Sequence, residues 1–375
     1  MAQNPVLAAN RARVEAAAGR RVQAGLSPNP RLILQSENTR FTSQGGFTFF
    51  RDTDTFAYAS QVLESGGKRQ RRMEFASSGM RLAELDQEAG NRQIAARVGF
   101  AYWYAVGAAR AFELLEESAR NFERIVTYHR DRVREGAMAG ADLLRVELEQ
   151  DRLRTLASNA QREAESARLA LFREMGLTQY PAVALSDSLT TLTSLVIPDL
   201  PQILEARPEI RSARQAVEQA RSNVQLQQAN AKPDPEVLFG YKKTAGFDTV
   251  VAGFQINLPI RNRNQGNIAV ADADVRVAEA SLRSLEVQVK SEVESARQDY
   301  ESRRQLLTMR FPEMLRRAEE SQRIADAAYR EGGTDVLRLL DSTRSRIETL
   351  ILYNRTLAEY QQSVVTLQTA AGILP

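Results

Sequence analysis

The spacing of apolar positions changes within residues 253–275, GFQINLPIRNRNQGNIAVADADV. Up to Ile260 the apolar residues alternate with other residues, which is typical of a β-strand. After Gly266 they fall three or four positions apart, which predicts an amphipathic helix. This stretch therefore predicts a short strand that leads through a polar segment into a helix.

Long helices are predicted in both halves of the chain. No proline lies between residues 30 and 181, and Pro312 is the only one between residues 259 and 375. Because proline interrupts helices, each half can hold helices far longer than the mean of about 11 residues. Along residues 266–300 the apolar positions form a seam suited to a partner helix, and polar residues between them indicate contact with water.

The two halves align as copies of one plan. Residues 4–19 (NPVLAANRARVEAAAG) match residues 207–222 (RPEIRSARQAVEQARS), and residues 27–35 (SPNPRLILQ) match residues 232–240 (KPDPEVLFG). Internal similarity of this kind indicates a repeat architecture. Each copy predicts a helix, two strands, a polar elbow and a long helical hairpin.

The repeats predict the following bounds. The first repeat covers residues 1–180, with strands at about 31–41 and 55–64 and a helical hairpin at about 67–175; a connector covers 181–205; the second repeat covers 206–375, with strands at about 236–243 and 249–258 and a helical hairpin at about 266–372.

Two elbows join the strands to the helices. Elbow 1 is residues 63–72, LESGGKRQRR, and elbow 2 is residues 258–266, LPIRNRNQG. Pro259 is expected to stop the strand because proline has no N–H for the ladder. Glycine is permissive at sharp turns, so Gly266 is expected to free the chain to enter its helix. Gly66 and Gly67 are the matching candidates in elbow 1.

The four strands are predicted to need further strands from elsewhere. Two hairpins of this length cannot close a sheet, and isolated hairpins are only marginally stable. Exposed sheet edges are unfavourable in water and excluded from lipid, so closure into a barrel with other copies of the chain is the simplest solution. The aromatic residues in and near the strands favour a membrane interface.

The repeats, the Pro-x-Pro segments before the strands and the two elbows resemble the outer membrane efflux proteins of the TolC family. Within it, they are most similar to the heavy-metal efflux branch typified by CzcC and CusC, and the resemblance covers nearly the whole chain. It implies an α+β membrane protein, with two tandem repeats of long antiparallel coiled-coil helices plus two β-hairpins. It further implies a homotrimer with a 12-stranded outer membrane barrel and a periplasmic α-helical barrel.

The resemblance also implies a function and partners. The chain would be the outer membrane channel of a tripartite efflux system of the RND type. Its partners would be a periplasmic adaptor, an inner membrane pump through that adaptor, and outer membrane lipid. Metal ions or small toxic molecules would pass through it.

Two turns between long helices are the candidate functional sites. They are residues 134–150, REGAMAGADLLRVELEQ, and residues 330–347, REGGTDVLRLLDSTRSRI. Matching glycines align them, and this alignment sets two oppositely charged pairs at equivalent positions. The pairs are Asp142 with Arg338, and Arg145 with Asp341.

These pairs predict a gate latch between neighbouring helices. The family resemblance implies paired aspartates at the second turn, but Arg338 occupies the first of these positions, which argues against a simple aspartate ring. The alternative is that all four are exposed charges that each contribute less than about 1 kcal/mol. The resemblance also implies that the turns dock the adaptor, through residues around Gly136, Gly332, Gly333 and Asp335.

Composition excludes several other classes. The chain has 375 residues, no cysteine, one histidine and a net charge of +3. It therefore has no thiolate site, and the charge balance does not favour nucleic acid as a partner. His129 is interpreted as an ordinary helix residue, and phosphate-loop and metalloprotease motifs are missing. No enzymatic activity, cofactor or metal site is predicted.

The start of the sequence bears on localisation. Residues 1–19 lack the apolar core of a signal peptide. The expected location is the bacterial outer membrane, extending into the periplasm, with the export signal missing from this sequence. A soluble coiled-coil scaffold remains an alternative, but it does not explain the strand pairs. A periplasmic adaptor would have one helical hairpin, whereas this chain has two.

Overall fold

The protein is described by a computed structural model at residues 4–41, 45–181, 183, 185 and 187–374. Part of the predicted connector, residues 182, 184 and 186, lies outside the described residues. The helices are α1 (Pro5–Ala24), α2 (Phe49–Asp52), α3 (Lys68–Arg134), α4 (Gly140–Met175), α5 (Leu200–Ala206), α6 (Pro208–Asn230), α7 (Gln265–Gln305), α8 (Phe311–Arg330) and α9 (Val336–Ala370). The strands are β1 (Arg31–Glu37), β2 (Asp54–Val62), β3 (Pro235–Thr244) and β4 (Phe247–Ile256).

The four strands form one antiparallel sheet in the order β1-β2-β3-β4. The hairpins, which are far apart in sequence, join through β2 and β3, with Ala59 opposite Phe239. In the part of the chain that the structure describes, β1 and β4 each have one partner strand. Their outer edges can therefore each accept a further strand.

One face of this sheet is apolar on all four strands. Paired residues of antiparallel strands project to the same side, so the register defines the face. Its apolar members are Leu32, Leu34, Ala57, Ala59, Val237, Phe239, Tyr241, Val250, Ala252, Phe254 and Ile256. Ser36, Thr55 and Gln61 lie on the same side. Many are exposed, including Leu34 at 73% and Phe254 at 65%. An ion pair between Lys243 and Asp248, at 3.7 Å, follows this apolar face toward the β3–β4 turn.

The first strand is shorter than predicted. It ends at Glu37, not near residue 41. Asn38 follows with a φ of +53°, a left-handed conformation that extended strands do not use. Its side chain donates to Asp54 at 3.1 Å, which fixes this bend beside the start of β2.

The helix after elbow 2 is interrupted, whereas the sequence predicts one long helix before the second turn. A π-helical turn, Leu306–Arg310, separates α7 from α8. Pro312 cannot donate a backbone hydrogen bond, so the regular pattern fails just before it. The N–H of Phe311 instead bonds to the carbonyl of Leu306. Single π-turns of this kind are usual ways to absorb such a local mismatch.

The chain divides into two compact units that do not coincide with the repeats. One unit contains residues 1–9, 88–207 and 286–375, and the other contains residues 10–87 and 208–285. The second unit holds the sheet and both elbows, and the first holds both helix turns. Each unit thus combines segments from both predicted repeats.

The connector is fixed within the first unit by side chains of the long helices. The hydroxyls of Tyr300 and Tyr360 both donate to the carbonyl of Thr193, at 2.7 and 2.8 Å. The Tyr102 hydroxyl donates to Asp187 at 2.6 Å. Burial and this hydrogen bond raise the pKa of Tyr102 to about 12. The connector therefore packs on the helices although its sequence has no regular period.

Candidate functional site

The first helix turn depends on Gly136. This residue has a φ of +73°, which glycine adopts without the steric cost that other residues meet. The N–H of Ala137 donates to the carbonyl of Arg132 at 2.8 Å and closes the end of α3. The next helix begins without a side-chain cap, since the N-cap residue is Ala139.

The second turn also contains a glycine with positive φ, but its following helix has a side-chain cap. Gly332 has a φ of +76°, and the N–H of Gly333 donates to the carbonyl of Ala328 at 2.8 Å. The carboxylate of Asp335 accepts from the backbone N–H of Arg338 at 3.1 Å, which caps α9. Asp335, predicted from the resemblance to help dock an adaptor, thus also stabilises its own helix.

The four predicted latch residues do not form a latch within one chain. Arg145 pairs with Asp142 on its own helix at 3.1 Å, and both side chains are partly or largely exposed. Arg338 and Asp341 are exposed on α9. Within the described residues, neither of these side chains forms an ion pair or a side-chain hydrogen bond. Both are therefore available to groups outside the chain.

A different charge cluster links α4 to α9 close to the two turns. We call Glu149, Arg152, Arg344 and Glu348 the Glu149 cluster. Arg344 Nη2 lies 2.5 Å from Glu149 Oε2, and Arg152 Nη1 lies 2.8 Å from Glu149 Oε1. Arg152 Nη2 also reaches Glu348 at 3.1 Å.

The Glu149 carboxylate is only 7% exposed, so its attraction to both arginines is weakly screened. The hydrogen bond to Glu149 also raises the pKa of Arg344. Sequence reasoning missed this cluster because Glu149 looks like any other helix charge. The repeat alignment that sets Gly136 opposite Gly332 also sets Arg152 opposite Glu348, and that match could have revealed one of its pairs.

An apolar and aromatic core lies beneath these charges. Its buried members are Leu115, Phe122, Val126, Val146, Leu153, Ala157, Val336, Leu340 and Ile347. His129 is 1% exposed and stacks on Tyr329 with ring centroids 5.3 Å apart. Its Nδ1 lies 2.7 Å from the carbonyl of Ile125. His129 therefore belongs to the packed helix interface, in agreement with its interpretation as a helix residue.

Elbow 1 is held by two ion pairs, one to the segment before β3 and one within the elbow itself. Asp234 accepts from Lys68 Nζ at 2.7 Å and from the N–H of Ser65 at 2.8 Å. The Arg72 guanidinium donates to both carboxylate oxygens of Glu64, from Nη1 at 2.5 Å and from Nη2 at 3.1 Å. Gly66 and Gly67 have φ values of +66° and +73°, so this turn does require glycine.

Elbow 2 turns by another route, and the predicted role of Gly266 is wrong. Gly266 lies inside α7, and the left-handed residue is Asn264, with a φ of +62°. Its amide donates to the backbone carbonyl of Gln227 at 2.8 Å and to that residue's side chain at 3.1 Å. Asparagine tolerates this conformation better than most residues. Pro259 follows the last ladder residue, Ile256, by three positions.

Among the described residues, no cluster of three or more acidic or histidine side chains could hold a metal ion. No helix in the described part has the length and hydropathy of a membrane span.

Three features are typical of outer membrane channel proteins. They are the exposed apolar sheet face, its two edges that lack a partner strand within the described residues, and the elbows that lead into long helices. Solved channels share this fold. The chain resembles the structure of CusC with a TM-score of 0.85 and 20% identity, covering 99% of this chain and 89% of that one. It resembles the open state of the MtrE outer membrane channel from Neisseria gonorrhoeae with a TM-score of 0.83 and 20% identity, covering 99% and 86%.

The sequence comparisons give the family. Residues 1–177 and 200–373 match the outer membrane efflux protein family, so the chain belongs to that family. It is also 26% identical over 356 residues to the cobalt-zinc-cadmium resistance protein CzcC of Cupriavidus metallidurans, covering 94% of this chain and 82% of the relative.

Family membership confirms the main functional prediction. The chain is an outer membrane protein that extends into the periplasm and serves as the channel component of a tripartite efflux system. Channels of this family work with adaptor proteins and inner membrane pumps. A soluble scaffold is not favoured. The predicted fold, mainly helical with a small antiparallel sheet, is confirmed as well.

Proposed function

We propose that the chain forms a homotrimeric, passive exit duct for an RND-type pump and performs no chemistry of its own. The observation that carries this proposal is the four-stranded sheet with one exposed apolar face and two unpaired edges. A sheet edge is not tolerated in lipid, so a single copy cannot span the membrane alone. Three copies would supply twelve strands and close the barrel.

The repeat suggests the register of that closure. Within the chain, Ala59 of β2 lies opposite Phe239 of β3. The repeat alignment relates Ala59 to Phe254 on the edge strand β4, and Phe239 to Leu34 on the edge strand β1. Phe254 of one copy is therefore expected to face Leu34 of the next. Both residues belong to the apolar face, so this register continues that face across the boundary.

Cysteine cross-linking tests this closure, since the chain contains no cysteine of its own. The double variant Phe254→Cys with Leu34→Cys should form covalent dimers and trimers on oxidation, because facing strand residues come close enough for a disulfide. The control, Phe254→Cys with Ile33→Cys, sets the second cysteine on the opposite face. If only the control cross-links, the register is refuted. If neither variant cross-links, edge pairing is refuted.

The charges near the helix turns would act in two groups, one within a copy and one between copies. The Glu149 cluster would hold α4 against α9 within one copy. Arg338 and Asp341 would instead bond to Asp142 and Arg145 of a neighbouring copy and keep the mouth closed. Adaptor docking near Gly136, Gly332 and Gly333 would release these contacts and let the helices move apart.

Single-channel conductance in a planar bilayer tests both the duct and the gate. The purified protein should show small, stable openings, and Arg338→Gln with Asp341→Asn should enlarge them severalfold. A matched control is Glu320→Gln with Arg323→Gln, which removes an exposed pair within α8. No pore from the unmodified protein would refute the duct. Equal enlargement by the control, or none by the Arg338 and Asp341 variant, would refute the latch.

The exported substrate is proposed from the relatives. CzcC is named for resistance to cobalt, zinc and cadmium, so divalent metal ions are the first substrate class to test, with small toxic molecules second. A passive duct need not bind its cargo. Deletion in the native host should raise sensitivity to the cognate substrate, and conductance should differ little among divalent cations.

A further inference from the structure

Elbow 2 presents two arginines that have no acidic partner among the residues the structure describes. Within the described residues, the guanidinium groups of Arg261 and Arg263 form no ion pair or hydrogen bond. Both are exposed. In elbow 1, by contrast, Lys68, Arg71 and Arg72 each pair with a carboxylate, and Arg69 donates to the carbonyl of Gly25. The difference leaves two exposed positive charges shortly after the end of β4.

Apolar side chains precede these arginines. Leu258 and Ile260 are 69% and 70% exposed. In sequence they continue the alternation of Phe254 and Ile256, beyond the last paired residue of the strand. The N–H of Ile260 donates to the carbonyl of Leu258 at 2.9 Å, so the chain turns at Pro259. Apolar side chains followed by cations match a membrane leaflet, in which acyl chains are followed by anionic phosphates.

The backbone of elbow 2 is held in place by amide side chains. Gln265 accepts from the N–H of Arg263 at 2.8 Å and donates to the carbonyl of Arg261 at 3.2 Å. Asn264 ties the segment to the end of α6 through Gln227. The backbone that carries the two arginines is therefore braced. A braced segment loses less conformational entropy on binding a ligand than a mobile loop does.

We propose that elbow 2 binds the phosphate of an anionic phospholipid in the periplasmic leaflet, with Leu258 and Ile260 among the acyl chains. This inference rests on the proposed membrane-spanning barrel. Guanidinium groups donate to phosphate with matched geometry, and a second basic side chain adds attraction to an anionic surface. Continuity with the apolar sheet face and the unpaired charges together favour lipid as the occupant.

Native mass spectrometry of the intact assembly tests the proposal with phosphatidylglycerol and phosphatidylcholine. Arg261→Gln with Arg263→Gln should weaken phosphatidylglycerol binding by about tenfold or more and leave phosphatidylcholine binding unchanged. Higher salt should reduce the difference, since the attraction is partly screened. The matched control is Arg276→Gln with Arg283→Gln, two exposed arginines of α7 that form no ion pair within the described residues.

Three outcomes would overturn the proposal. Equal losses in the elbow and control variants would mean a general charge effect, and no loss in either would mean no site. Loss of assembly in both lipids would mean that a neighbouring copy covers elbow 2. Conductance separates this proposal from the duct itself, because the elbow variant should still form channels. Failure of the unmodified chain to conduct would refute the duct whatever the lipid result.

Discussion

The two elbows make the same connection with different chemistry. Elbow 1 follows β2, an inner strand, and obtains its acceptor from the adjacent β3 segment through Asp234. Elbow 2 follows β4, an edge strand with no such neighbour in the described chain. It braces itself instead through Asn264 and Gln265. Within one copy, elbow 1 is therefore held by charges and elbow 2 by amides.

The repeat alignment sharpens this difference. Asp234 in the second repeat corresponds to Asn29 in the first. If copies pair through β4 and β1, elbow 2 of one copy meets the neutral Asn29 of the next, not a carboxylate. The boundary between copies would then lack the ion pair found inside each copy. This leaves the basic residues of elbow 2 free to meet lipid.

Removal of Asp234 should have the largest effect. Asp234→Ala leaves Lys68, a side chain that is 11% exposed, without its partner and also removes the acceptor for Ser65. We expect a loss of about 3 kcal/mol in the free energy of unfolding, measured by urea titration in detergent micelles. The matched control is Asn29→Ala at the equivalent position, which should change stability by less than about 0.5 kcal/mol. Equal losses would show that the two elbows are not held differently.

Substitution of Asn264 should have the next largest effect. Asn264→Ala removes three side-chain hydrogen bonds, two to Gln227 and one from Asn267. It also leaves alanine at a φ of +62° with no side-chain hydrogen bond to support that conformation. A loss of about 2 kcal/mol is expected in the same titration. Asn264→Gly removes the same bonds but tolerates the conformation, so it should lose about half as much. If glycine were as harmful as alanine, backbone strain would not contribute at this turn.

The contrast between elbows also shows what the sequence could predict. The change of period near residue 260 is a local signal and locates elbow 2, and the repeat alignment carries that position to elbow 1. The residue that turns elbow 2 was assigned wrongly to Gly266. Glycine is the usual residue for positive φ, and the support for Asn264 comes from Gln227, 37 positions away. Such long-range bonds leave no local pattern.

The helix turns also combine features that the sequence predicts with features that depend on packing. Gly136 and Gly332 were found from sequence because a turn between long helices requires a break in helix propensity. Glu149 was missed because its importance arises from burial between α4 and α9, which depends on how the helices pack. The π-helical turn before Pro312 was missed for a different reason, since proline within a helix can end, kink or locally widen it.

Acid should produce the smallest effect and should act on one elbow only. Burial raises the pKa of Asp234, but hydrogen bonds from Lys68 and Ser65 outweigh it and lower the pKa below its ordinary value. The ionised carboxylate therefore stabilises elbow 1 above pH 4, roughly the ordinary aspartate pKa, and this stabilisation is lost as pH falls through the lower folded value. The braces of elbow 2 are amides, which do not titrate in this range.

Hydrogen exchange, corrected for the pH dependence of the intrinsic rate, separates the elbows. Peptides from residues 63–72 should lose protection progressively as pH falls below about 4. The full loss should be about 1 kcal/mol, because the carboxyl keeps its bond from Ser65 once it is protonated. Peptides from residues 258–266 should not change. Asp234→Asn should reduce the pH effect in elbow 1 while keeping an acceptor for Ser65, and it leaves the ion pair between Arg72 and Glu64 in place. Loss of protection in both elbows would mean that acid acts on the sheet as a whole and that the charge lock does not distinguish them.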